Sequence, residues 1–144
     1  MRAKYGTDRP AETSAMTGDG PWYPADVRRA VRRAVARRCL EQGTAYDETA
    51  LSDALLVASE MTSNAILHGG GVAGFAVDVR DGGIRISVSD HSDRLPVVMP
   101  RFDAEGRRRT GGRGWPIVCR LAADLRITPL PAGGKRITAV VPTG

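Results

Sequence analysis

Glu60, Asn64 and His68 recur every four positions in an otherwise largely apolar run, Glu60-Met61-Thr62-Ser63-Asn64-Ala65-Ile66-Leu67-His68. In a helix, each step of four residues advances the side chain by only about 40°, so the three stack along one polar face. The asparagine amide oxygen is a hard, neutral ligand that suits Mg2+, an ion that otherwise keeps waters and phosphate oxygens. Glu60, one turn earlier, is placed to polarise an attacking hydroxyl. Asp90 is a second candidate: it ends the alternation Ile84, Ile86, Val88, and a carboxylate there can accept a hydrogen bond from an exocyclic amino group such as that of adenine. The third is Gly111-Gly112-Arg113-Gly114, directly before Trp115 and a short helical pattern. Glycines at a helix start let backbone amides approach phosphate oxygens, and Arg113 adds a charged donor. Each feature taken singly also has a plain structural reading: a Glu–Asn hydrogen bond, a strand-end turn and a glycine hinge.

These residues need elements to hold them. A first helix is expected from Pro24, with Val27, Ala30, Val31, Ala34, Val35 and Cys39 at helical spacing and arginines opposite, ending at Gly43. Thr44 or Asp47 can cap a second helix that reaches about His68, packs through Leu51, Leu55, Ala58, Thr62 and Ala65, and stops at Gly69-Gly70-Gly71. Strands follow over 75–79 and 84–90, joined at Asp81-Gly82-Gly83 as a hairpin. The segment 91–113 is too long for an ordinary connection and reads as a lid. A short helix over 117–123, a strand over 125–130, a turn at Ala132-Gly133-Gly134 and a last strand over 136–141 complete the order. Strands grouped apart from helices predict an α+β two-layer sandwich, a mixed, mostly antiparallel sheet covered on one face by helices. Residues 1–21 read as a flexible leader and 22–144 as the folded domain.

In order and spacing, residues 60–71, 88–90 and 111–114 resemble the N, G1 and G2 boxes of the GHKL superfamily, and within it the anti-sigma-factor serine/threonine kinases of bacteria. The resemblance spans residues 22–142. It implies the Bergerat ATP-binding fold with ATP and Mg2+ as cofactors, Glu60 as general base, Asn64 as magnesium ligand and Asp90 as the adenine contact. His68, Ser92, Gly111, Gly112, Arg113 and Gly114 would join the nucleotide contacts, and Thr138 would line the adenine end. The partners so implied are a sigma factor and an STAS-type anti-sigma-factor antagonist, with the protein acting as a cytoplasmic homodimer. The family's Asp-x-Gly-x-Gly is here Asp90-His91-Ser92-Asp93-Arg94, without either glycine. Close backbone approach there relies on a missing Cβ, so the departure implies weaker nucleotide binding. The alternative it raises is a catalytically degenerate protein-binding module that regulates transcription without phosphotransfer.

Composition agrees with a single soluble domain: 144 residues, 42% hydrophobic, 26% charged and 5% aromatic, which predicts an aliphatic core. No apolar run is long enough for a signal peptide or a membrane span. The net charge of +5 is concentrated in Arg28, Arg29, Arg32, Arg33, Arg37 and Arg38 and in Arg107, Arg108 and Arg109, a pattern that fits an anionic partner or a solvated helix face. Direct nucleic-acid binding is not expected, because no helix-turn-helix partner and few stacking aromatics accompany the arginines. Cys39 and Cys119 form no C-x-x-C pair and are expected as reduced core residues.

Overall fold

The computed structural model describes residues 22–95 and 114–143; the leader, the lid from residue 96 onward, Gly111, Gly112 and Arg113 lie outside the described residues. Apolar residues at helical spacing produce α1 (Pro24–Gln42), which buries Val27, Ala30, Val31, Ala34 and Val35. Helix α2 (Glu48–His68) begins at Asp47, whose carboxylate accepts the Thr49 and Ala50 amides at 3.0 and 3.1 Å. Asp47 rather than Thr44 therefore satisfies the orphan donors of this helix start. The buried face of α2 is Ala50, Ala54, Val57, Ala58, Met61, Thr62 and Ala65. Leu51 and Leu55, expected in the packing stripe, stand at its partly buried edge. Alanines fill much of the seam because α2 must approach both other helices and the sheet: it touches α1, β1, β2, β4 and the third helix. The buried Thr62 hydroxyl donates to the Ala58 carbonyl at 2.8 Å, which satisfies its polarity inside the helix.

Strands β1 (Val72–Arg80) and β2 (Gly83–Asp90) are joined by the two-residue turn Asp81-Gly82. Gly82 supplies the positive φ of 89°, whereas Gly83 already belongs to β2. Helix α3 (Gly114–Leu121) starts earlier than the apolar pattern suggests, since Pro116 fits a first helical turn. β3 (Asp124–Pro129) and β4 (Lys135–Pro142) follow. The sheet order is β1-β2-β4-β3, and every pairing among the described strands is antiparallel. The fold is thus α+β, with three helices and a four-stranded open sheet.

Period-two alternation decides which strand residues meet the helices. Phe75, Val77, Ile84, Ile86, Val88, Ile137, Ala139 and Val141 join the helical seams in one core, and Trp22 closes its edge against Phe75 with ring centroids 5.8 Å apart. Alternate positions, among them Asp78, Arg85, Ser87, Arg136 and Thr138, belong to the opposite sheet face. There Asp78 binds Arg85 at 3.0 Å and Ser87 shares a 3.0 Å hydrogen bond with Thr138.

The arginines of α1 do more than face solvent. Arg28 donates to Ser59 of α2 at 3.1 Å and Arg38 pairs with Asp81 of the hairpin turn at 3.0 Å, while Arg32 and Arg33 are exposed. The cysteine expectation fails at one site: Cys39 is partly buried against the core, but Cys119 is exposed on α3. Partial desolvation still pushes the Cys119 thiol above its ordinary pKa. Among the described residues, no helix is long and apolar enough to cross a membrane.

Candidate functional site

Helix α2 is the rail on which the candidate residues are set. Glu60 and Asn64 are half-buried one turn apart, and His68 is exposed in the last turn. The first residue of α3 comes directly onto Glu60: a Cβ at Gly114 would collide with the Glu60 carboxylate oxygen. A side chain there would have to push that carboxylate aside, whereas glycine lets the N-terminus of α3, where helix amides lack intrahelical partners, come to the polar face of α2. Among the described residues, the side chains of Glu60 and Asn64 have no hydrogen-bond partner. Nine residues further along, about 13 Å at the helical rise, α2 ends against Asp90. Gly69 packs so closely there that a Cβ would lie 2.8 Å from the Cβ of Asp90. The Gly69 carbonyl also accepts the His91 amide at 2.9 Å.

Asp90 does not present an open carboxylate. In the β2–β4 register it faces Lys135, whose ammonium donates to Oδ1 at 3.1 Å and Oδ2 at 3.0 Å and to the Ser92 carbonyl at 3.2 Å. Both side chains are 7% exposed. The Ser92 amide donates to Asp90 Oδ1 at 3.0 Å, and the Ser92 hydroxyl accepts the Arg94 amide at 3.0 Å. Across the β3–β4 turn, the Gly134 amide donates to Asp93 Oδ1 at 2.9 Å. Gly134 has φ 87° and lies against the Asp90 carbonyl, so a side chain there is excluded by both conformation and space.

The structure therefore sets Gly114 against Glu60 in the C-terminal half of α2, with Asn64 one turn further along, and brings Asp90 and Ser92 together where α2 ends. Thr138 does not join them. It has the opposite strand parity to Lys135, Ile137 and Ala139 and lies on the other sheet face, bound to Ser87. Lys135 has no role in the sequence pattern above, and Gly69, Gly134 and Asp93 figure there only as a helix stop, a turn residue and a member of the segment after Asp90. The signal for Lys135 was present: it begins the alternation Lys135, Ile137, Ala139, Val141 as Asp90 ends Ile84, Ile86, Val88. Two opposite charges each closing an apolar face call for one another, because a buried charge needs a partner. An open concavity of about 580 Å³ between α1 and α2, lined by Cys39, Leu40 and Tyr46, holds none of these residues.

The helix-helix-hairpin-helix-hairpin order and the polar face of α2 coincide with a family match: the model of the histidine kinase-like ATPase domain matches residues 22–141. The chain belongs to that family. No curated protein and no solved structure matches it. Membership places the protein in the GHKL-type ATPase superfamily, whose domains bind ATP, usually with Mg2+.

Whether this histidine kinase-like ATPase domain fits such a ligand differs between the Glu60 and the Asp90 contacts of α2. At the Glu60 end, unpartnered Glu60 and Asn64 and the close approach of Gly114 fit a metal-phosphate group. Among the described residues, no cluster of three His, Cys, Asp or Glu side chains forms an all-protein metal cage. An Asn-held magnesium ion would instead complete its shell with phosphate oxygens and waters. At the Asp90 end, the carboxylate assigned to an adenine amino group is already engaged by Lys135.

Proposed function

We propose that the protein binds MgATP along α2 and works in the cytoplasm as a homodimeric anti-sigma factor with serine kinase activity toward an STAS-type antagonist. One observation carries this reading: Glu60 and Asn64 stand unpartnered, among the described residues, on one face of α2, and the N-terminus of α3 comes against Glu60 at Gly114. Asn64 would hold the magnesium ion, and the α3 N-terminus with the glycines before it would take phosphate oxygens. ATP supplies the phosphoryl group. Glu60 accepts the proton of the serine hydroxyl, which frees that oxygen to bond the phosphorus as the bond to ADP breaks. The exposed Arg29, Arg32 and Arg33 of α1 offer a basic surface for an acidic sigma-factor segment.

A second reading, a protein-binding module without phosphotransfer, is favoured by the Lys135–Asp90 pair, which engages the carboxylate that the nucleotide base would need. Calorimetric titration separates the cases. MgATP is expected to bind the wild type and to lose binding in Asn64→Ala, with γ-phosphate transfer to the antagonist serine lost in Glu60→Gln. Failure of the well-folded wild type to bind MgATP would sink the ATP reading. Binding without any transfer would leave the module. Charge reversal of Arg29, Arg32 and Arg33 is expected to abolish sigma-factor binding, and intact binding would remove α1 from that surface.

A further inference from the structure

We infer that Lys135 makes the base end of this site blind to the adenine amino group, so that purine nucleoside triphosphates are held through their phosphates without selection at that position. The inference rests on the nucleotide reading above and concerns how that same site chooses its ligand.

A carboxylate can accept about four hydrogen bonds. In Asp90, Oδ1 already accepts from the Ser92 amide and from Lys135, Oδ2 accepts from Lys135, and Gly69 packs against Oδ2. Lys135 is as fully used: its ammonium has three donors, directed to Oδ1, Oδ2 and the Ser92 carbonyl. The pair is buried, with each side chain 7% exposed. A ligand amino group would therefore have to displace the ammonium. It would gain one hydrogen bond from a neutral donor and strand a buried cation, and the second effect is the larger.

The neighbouring backbone reinforces this arrangement. Two amides in the segment where the superfamily carries glycines, those of Ser92 and Arg94, are bound to Asp90 Oδ1 and the Ser92 hydroxyl. Asp93 ties the same segment to Gly134, one residue before Lys135. Residues 90–94 are thus fastened to the start of β4 by the hydrogen bonds that a ligand would otherwise compete for.

The test compares the magnesium complexes of ATP, of purine riboside triphosphate, which lacks only the amino group, and of inorganic tripolyphosphate. Each is titrated calorimetrically into the wild type and into Lys135→Met. The two nucleotides are expected to bind the wild type within about twofold of each other and tripolyphosphate to compete with both. In Lys135→Met, ATP is expected to gain about two- to tenfold over purine riboside triphosphate, the value of one hydrogen bond to the freed Asp90 carboxyl. A wild type that prefers ATP fivefold or more overturns the inference, even if Lys135→Met does not fold. A folded Lys135→Met without gained discrimination overturns it as well. If tripolyphosphate and both nucleotides fail to bind either protein, the nucleotide reading falls and takes this inference with it. Competing tripolyphosphate with an ATP-selective wild type sinks this inference alone.

Discussion

The body of α2 at Glu60 and its C-terminal end at Gly69 use glycine in the same way and electrostatics in opposite ways. Gly114 and Gly69 each lack the Cβ that would strike a carboxylate, Glu60 in one case and Asp90 in the other. Glu60 is half-buried and has no partner among the described residues, while Asp90 is buried and tied to Lys135. The difference follows from desolvation. A half-buried carboxylate still reaches water and stays available, but one enclosed in the sheet core needs a counter-ion to offset its desolvation. Availability for chemistry is thus retained at Glu60, beside α3, and lost at Asp90, in the sheet.

The strongest challenge to this comparison is Asp90→Ala, which leaves the Lys135 ammonium buried without its partner. Urea unfolding is expected to show a loss of about 3–5 kcal/mol. The double variant Asp90→Leu with Lys135→Met should recover most of it, because both charges go together. A loss under about 1 kcal/mol in Asp90→Ala would mean that the pair is more solvated than its burial indicates. Next in size is Gly69→Ala. Its new methyl meets a carboxylate pinned by Lys135 and Ser92, so overpacking of about 1–3 kcal/mol is expected in the same assay. Wild-type stability in this variant would show that the Asp90 end can yield.

Thr138→Val probes the far sheet face. Losing its half-buried bond to Ser87 should cost about 0.5–1.5 kcal/mol and leave the calorimetric ATP affinity unchanged; a change in affinity would return Thr138 to the site. The smallest stability effect belongs to Gly114→Ala, which meets only the far end of the flexible Glu60 side chain. A shift within about 0.5 kcal/mol is expected, with phosphotransfer reduced because the Glu60 carboxylate is pushed aside. A large loss of stability there would show that Glu60 is held as firmly as Asp90.

Much of this architecture was legible residue by residue. The limits of α1 and α2 follow from Pro24, Gly43, Asp47 and Gly69, and the hairpin turn from Asp81-Gly82, because caps and tight turns depend on near neighbours. The polar face of Glu60 and Asn64 is equally local, being set by helical geometry alone. Less legible was the seam of α2, where Ala50, Ala54, Val57 and Met61 are buried ahead of Leu51 and Leu55. Several elements contact α2 at once, and how near each comes selects small residues for the closest line. Cys119 shows a similar limit, since an apolar residue on a short helix can face either way until its neighbours are placed.

By itself the sequence determined the elements, their order, the α+β class and the stacking of Glu60 with Asn64, because each arises from interactions within a few residues. Only the tertiary structure decided that Asp90 meets Lys135, that Thr138 turns away and that Gly114 and Gly69 bring Glu60 and Asp90 into close contact along one helix. Those contacts join residues 45 positions apart or more in the case of Asp90 with Lys135 and Gly114 with Glu60. They depend on strand register and on how α3 returns to α2. A register shift of one residue would turn Lys135 out of the core and leave Asp90 open.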